Sequence, residues 1–227
     1  MIKSKFFGVW LMAMALALPG SGAGAKGRPG AFDYWSLVLS WSPSFCLTDS
    51  GRRDRQQCGP DRAYAFVVHG LWPQYERGWP QHCARKKSWV PRSVIAEMRQ
   101  IMPSHNLVIH EWRKHGTCSG LSPQAYYALT RDLFAGIRIP ERYRRPNGYI
   151  TTTPRALKQD FLAANPQLDG SMIAVQCGNR RGRANLRDLR ICFGRDLKPR
   201  RCGANERRAC RAEKLTLPPV RPGRRLH

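Results

Sequence analysis

Phe32 to Trp41 reads FDYWSLVLSW. Aromatic and branched residues dominate this run, which predicts a β-strand. Outward from it the chain changes character. Cys46 to Pro60 is polar and rich in turn residues, and it reads as a loop with a cysteine near each end. Ala63 to His69 (AYAFVVH) predicts a second strand, stopped by Gly70 and Pro73. Helical patterns follow. Pro91 to Ile101 sets Val94, Ile95, Met98 and Ile101 on one face, with Pro in its first turn. Val108 to His115 ends as a helix. Pro123 to Ile137 and Pro154 to Ala164 are amphipathic, with Ser122 and Thr153 as N-caps. Met172 to Cys177 and Leu189 to Phe193 again predict strands. Strands and helices alternate without a regular βαβ rhythm, so the fold class is α+β.

The chain ends bracket one domain. Lys3 and Lys5 precede an apolar run from Phe6 to Leu18, and Ala23-Gly24-Ala25 forms a small-residue cleavage pattern. Residues 1–25 are expected to be a secretory signal peptide. The apolar run is shorter than the ~20 residues that span a bilayer, and no other stretch is apolar enough. A secreted or periplasmic product is expected, where disulfides persist. Residues 26–210 show no internal break and read as one domain. Residues 211–227 carry three prolines and a Pro-Gly-Arg-Arg ending, and are expected to form a loose basic tail.

Charge narrows the partners. Lys and Arg number 39 against 15 Asp and Glu, a formal charge of +24. Such a balance favours polyanions: nucleic acid, anionic lipid or acidic polysaccharide. With 42% hydrophobic residues the chain can still bury a core, which excludes intrinsic disorder. Between Arg180 and Arg211 twelve basic residues face three acids. A phosphate-bearing partner explains that density better than a merely solvated surface.

The chemistry sits in the histidines. His69 ends an apolar strand and is followed by Gly-Leu-Trp-Pro-Gln74. His110 and His115 bound the run His110-Glu-Trp-Arg-Lys-His-Gly-Thr-Cys118. A zinc-protease motif needs two histidines four apart around a glutamate. These are five apart, about 140° around a helix, so they cannot share one metal on a regular helix. Glu111 and His115 are the pair at i, i+4, on a common face. Two imidazoles, a carboxylate and Lys114 suit RNA cleavage by its own 2′-OH. One imidazole takes the hydroxyl proton, the other protonates the leaving oxygen, and a cation stabilises the phosphorane. Trp72 could stack on a base. The rival reading is a cationic protein that binds RNA or membranes, with catalysis incidental. Such a binder needs none of His69, Glu111, Lys114 or His115.

Both segments closely resemble the two active-site segments of the T2 family of secreted ribonucleases. The looser likeness spans residues 32–210. The resemblance implies an α+β fold with a central antiparallel sheet and flanking helices. It implies His115 as general base, His69 as general acid, and Glu111 with Lys114 stabilising the pentacoordinate phosphate. It further implies His110 as a phosphate ligand and Trp72 at a base subsite. Gln74 lies where some members choose their base. The family often has an acid where this chain has Arg113. Products would be 2′,3′-cyclic phosphates and then 3′-phosphates. For the eight cysteines, the resemblance favours Cys83–Cys118 and Cys177–Cys210, while locality favours Cys46–Cys58 and Cys192–Cys202. Single-stranded RNA is the expected partner of the basic surface. Neither a cofactor nor a metal is expected, nor a stable protein partner, so a monomer is the expected form.

Overall fold

The computed structural model describes residues 27–84, 88–180, 182–207 and 210–221, without the side chains of Arg180 and Arg207. The expected signal peptide and the last six residues lie outside the described residues.

Among the described residues six strands form one sheet: β1 (Tyr34–Trp41), β2 (Phe66–Gln74), β3 (Ile150–Thr152), β4 (Ile173–Arg180), β5 (Arg183–Phe193) and β6 (Leu215–Leu217). Their order is β2-β1-β5-β6-β3, with β4 on the other edge of β5. β1 pairs antiparallel with both β2 and β5. The sheet is not wholly antiparallel, however. β6 meets β5 in parallel through Asn185 and Thr216, where β1 has ended.

All of β1 is buried, because both faces of the sheet are covered at that strand. On one face Trp35, Leu37, Leu39 and Trp41 join Leu71, Leu189 and Ile191 in the main core. This is period-2 alternation with aromatic and aliphatic residues on one side. Four helices supply much of the remaining core: α4 (Arg92–Met98), α5 (His105–Lys114), α6 (Pro123–Ala135) and α7 (Pro154–Ala164). The opposite face carries Tyr34, Ser36, Val38 and Ser40, and it is the polar face on which the site is built.

Two sequence expectations need correction. Cys46 to Pro60 is not a plain loop. It begins at the last residue of a short helix, α1 (Ser42–Cys46), and holds two more, α2 (Asp49–Arg53) and α3 (Arg55–Cys58). Thr48 Oγ1 accepts from Gly51 N, and Asp54 Oδ1 accepts from the amides of Gln56 and Gln57. Polar residues there act as caps rather than as turn formers. The expected loose tail is also partly sheet. Leu215 and Leu217 are fully buried, and Trp41 Nε1 donates to Pro218 O at 3.0 Å. Two leucines in alternation outweigh the nearby prolines.

Four disulfides link Cys46 to Cys58, Cys83 to Cys118, Cys177 to Cys210, and Cys192 to Cys202. The last two bracket a short helix, α8 (Ala204–Arg207), that covers the polar face of the sheet. Among the described residues no helix is long and apolar enough to cross a membrane.

Candidate active site

Two elements deliver the site. β2 contributes His69 and Trp72, and α5 with the residue after it contributes His110, Glu111, Lys114 and His115. Helix α5 starts at Ser104, whose Oγ accepts from Leu107 N. It seats Val108 and Trp112 in the core. Those anchors leave Glu111 facing β2, one turn before His115 at the helix end.

A β-bulge presents His69. Val38 pairs with Gly70 and Leu39 with Val68, so His69 is the extra residue of β2. Such an insertion re-aims a side chain without breaking the sheet. His69 Nδ1 lies 3.0 Å from Ser40 Oγ, and Nε2 lies 3.3 Å from Glu111 Oε1. The other carboxylate oxygen accepts from Trp72 Nε1 at 2.6 Å. Trp72 in turn stacks on His115, with centroids 4.8 Å apart and planes 20° apart, and meets His69 edge-on at 5.6 Å. One indole therefore touches both imidazoles.

The two histidines differ in what surrounds them. Burial opposes charge on His69, yet the Glu111 carboxylate at its edge outweighs it and holds the pKa above 6.5. His115 is 3% exposed, and its buried Nδ1 has no hydrogen-bond partner. Burial pushes its pKa down to about 3. Glu111 is buried too, which alone would raise its pKa. The neighbouring imidazole of His69, with His115 and the Trp72 donor, brings it below the ordinary value instead. The arrangement shifts His69 towards its protonated form, His115 towards its neutral form and Glu111 towards its ionised form.

His69 and Trp72 form one wall of a cavity of about 700 Å³. Ser40, Asp188 and Arg190 continue that wall, and Phe45, Leu47 and Arg52 stand among the other lining residues. His110 lies on the exposed side of α5, its pKa lowered by partial burial and by Lys114. Lys114 is half-buried, and its carbonyl accepts from His82 N.

Three of the expected site residues have neighbours that the sequence does not reveal. Glu111, expected with Lys114 to stabilise the pentacoordinate phosphate, is 1% exposed and contacts His69 and Trp72. Trp72 was expected under a base; its ring already carries His115 and, at 4.8 Å, the guanidinium of Arg190. Gln74 is 2% exposed, donates to Pro73 O and accepts from Asn205 Nδ2, outside the cavity lining. Conversely, Ser40, Asp188 and Arg190 were not singled out. The available signal was a hydroxyl in a strand otherwise fit for the core, and an Asp-x-Arg pair on β5. Among the described residues no group of three or more His, Cys, Asp or Glu is arranged to hold a metal ion.

Comparison with known proteins gives a consistent result. A model of the family described as "Ribonuclease T2 family" matches residues 32–202. The chain is 38% identical over 183 residues to a ribonuclease of Aeromonas hydrophila, covering 76% of each protein. It is 30% identical over 187 residues to a probable ribonuclease of Haemophilus influenzae, covering 75% of this chain and 61% of that one. Among solved structures, RNase NT in complex with 5′-AMP matches with a TM-score of 0.54 at 26% identity, over 76% of this chain and 95% of that one. The RNase-related protein from Calystegia sepium matches in fold, with a TM-score of 0.63 at 21% identity, over 83% of this chain and 98% of that one.

Proposed function

Because the chain belongs to the ribonuclease T2 family, and is an endoribonuclease of that type, we propose that it cleaves single-stranded RNA by attack of the 2′-OH on the adjacent phosphate. His115, neutral, takes the 2′-OH proton. The new O2′–P bond forms as the P–O5′ bond breaks, and protonated His69 gives its proton to the leaving 5′-oxygen. The first product is a 2′,3′-cyclic phosphate, and water later opens it to a 3′-phosphate with the two histidines exchanging roles. The nucleophile belongs to the substrate, so no protein serine or cysteine is called on.

One observation carries this reading: two imidazoles on a single indole, with protonation preferences displaced in opposite directions. Glu111 favours the charged form of His69. At 3.3 Å that contact is loose enough for a leaving oxygen to replace it, and catalytic hydrogen bonds commonly tighten only when substrate is bound. Lys114 and the exposed His110 supply positive charge for the phosphorane. Four disulfides and the family support an exported protein, matching the N-terminal sequence pattern.

End-group analysis tests the assignment. Digestion of an RNA oligomer with EDTA present should yield 5′-hydroxyl ends and transient 2′,3′-cyclic phosphates. Products bearing 5′-phosphates from the first cut would contradict it.

A further inference from the structure

A buried ion network outside both histidine segments reaches the same indole from β5. Asp188 and Arg190 are two apart on that strand and so share a face. Across β1 they lie opposite Ser40 and Val38, the small residues that let a long side chain cross the sheet towards β2. Arg190 Nε donates to Asp188 Oδ1 at 2.9 Å, and Nη1 lies 3.6 Å from Glu206 Oε1. The guanidinium carbon sits 4.8 Å from the centre of the Trp72 ring. Glu206, on α8, is fully buried and accepts from the Tyr34 hydroxyl. The two disulfides that bracket α8 pin that carboxylate from both sides. Arg190 is 13% exposed, so it is not a solvated surface charge. The other oxygen of Asp188 accepts from the more exposed Arg187 Nε at 2.8 Å, and setting a largely buried guanidinium between two buried carboxylates is a poor route to stability compared with apolar packing. Its geometric result is a guanidinium held against an indole.

We propose that Arg190 is a positioning residue for this reaction: Asp188 and Glu206 clamp its guanidinium, which holds the Trp72 indole stacked against His115 and hydrogen-bonded to Glu111. The proposal rests on the acid–base reading of His69 and His115. It gives the indole two neighbours that fix it, Arg190 from the sheet and Glu111 from the helix, and so fixes the spacing of the two imidazoles. Lysine cannot replace Arg190 here. It keeps the charge that Asp188 and Glu206 need but has no planar group to lie against the ring.

A double-mutant cycle on a dinucleotide substrate tests it, with single-turnover rates so that slow variants remain measurable. Wild-type cleavage of the dinucleotide is the check on the functional reading itself; its absence would defeat that reading, not the cycle. R190K should lower kcat by roughly 10- to 100-fold, as small misplacements of catalytic groups do, with KM within about threefold of wild type. In a W72L background the same change should cost less than about twofold, because Arg190 then has no ring to hold. Equal losses in both backgrounds would overturn the proposal, as would wild-type kcat in R190K. A loss confined to KM would also overturn it, because that outcome means direct contact with the phosphate. Should R190K melt below the assay temperature, the R190Q/E206Q pair, which leaves no clamped carboxylate facing a missing cation on α8, takes its place in the cycle.

Discussion

A Cβ on Gly70 would lie 2.2 Å from Glu111 Oε2 and 2.7 Å from Trp72 Nε1, so the carboxylate reaches the strand because this residue has no side chain. G70A should destabilise the fold by about 1–3 kcal/mol, the usual cost of forcing a methyl into a packed site. It should lower turnover as well, by breaking the Trp72–Glu111 contact; urea melts and initial rates on RNA read both. H69A and H115A should each lose about 10²- to 10⁴-fold in kcat, the range for a single general acid or base, with RNA binding retained. The two histidines also set the pH profile. His115 stays neutral down to about pH 3, and His69 stays protonated to above 6.5. Activity should therefore persist on the acid side and fall as pH rises through the His69 value. E111Q removes the main group that raises that value, so the alkaline limb should move to lower pH; a limb that stays or rises would contradict the role given to Glu111. His69, His115 and their segments were legible in the sequence because the chemistry is written in local runs. The Ser40–His69 contact and the Arg190 network were not, because each joins strands far apart in the chain.

Helix α5 and strand β2 are legible as elements, but what aligns them is less so. The bulge at His69 shifts pairing by one residue, and nothing in AYAFVVHG announces it. The helix was read only from Val108. Its first turn, from His105, shows no apolar period, and the Ser104 cap defines it instead. β6 was missed because three residues among prolines carry too little pattern, although burial of Leu215 and Leu217 is complete. A chain ending at Arg211 should accordingly unfold at clearly lower denaturant than the full chain, whereas a loose tail could be removed without effect. The Cys83–Cys118 bridge closes on the segment just after His115, across a sequence separation of 35, against 10 for Cys192–Cys202. The loop-entropy view makes the longer closure worth more, within the ~2–5 kcal/mol typical of small secreted domains. C83S/C118S should therefore lose more stability than C192S/C202S, measured in guanidinium melts.

At the scale of the whole molecule, a charge of +24 concentrates polyanions without choosing among them. RNA affinity should fall steeply with salt, by about 0.7 in the logarithmic slope for each phosphate contact on a single strand. Reversing the charge of the exposed Arg183 and Arg211 should flatten that slope; an unchanged slope would mean that RNA takes another path. Binding alone, however, does not separate an enzyme from a cationic binder, since DNA offers the same phosphates. The 2′-OH separates them, because His115 can act on that proton alone. The decisive measurement is cleavage of one RNA oligomer beside its twin carrying a single 2′-deoxy nucleotide. The account predicts that the linkage 3′ of the deoxy position resists while its neighbours are cut at the usual rate. Cleavage at the deoxy linkage at the same rate as its neighbours would contradict the two-histidine transesterification.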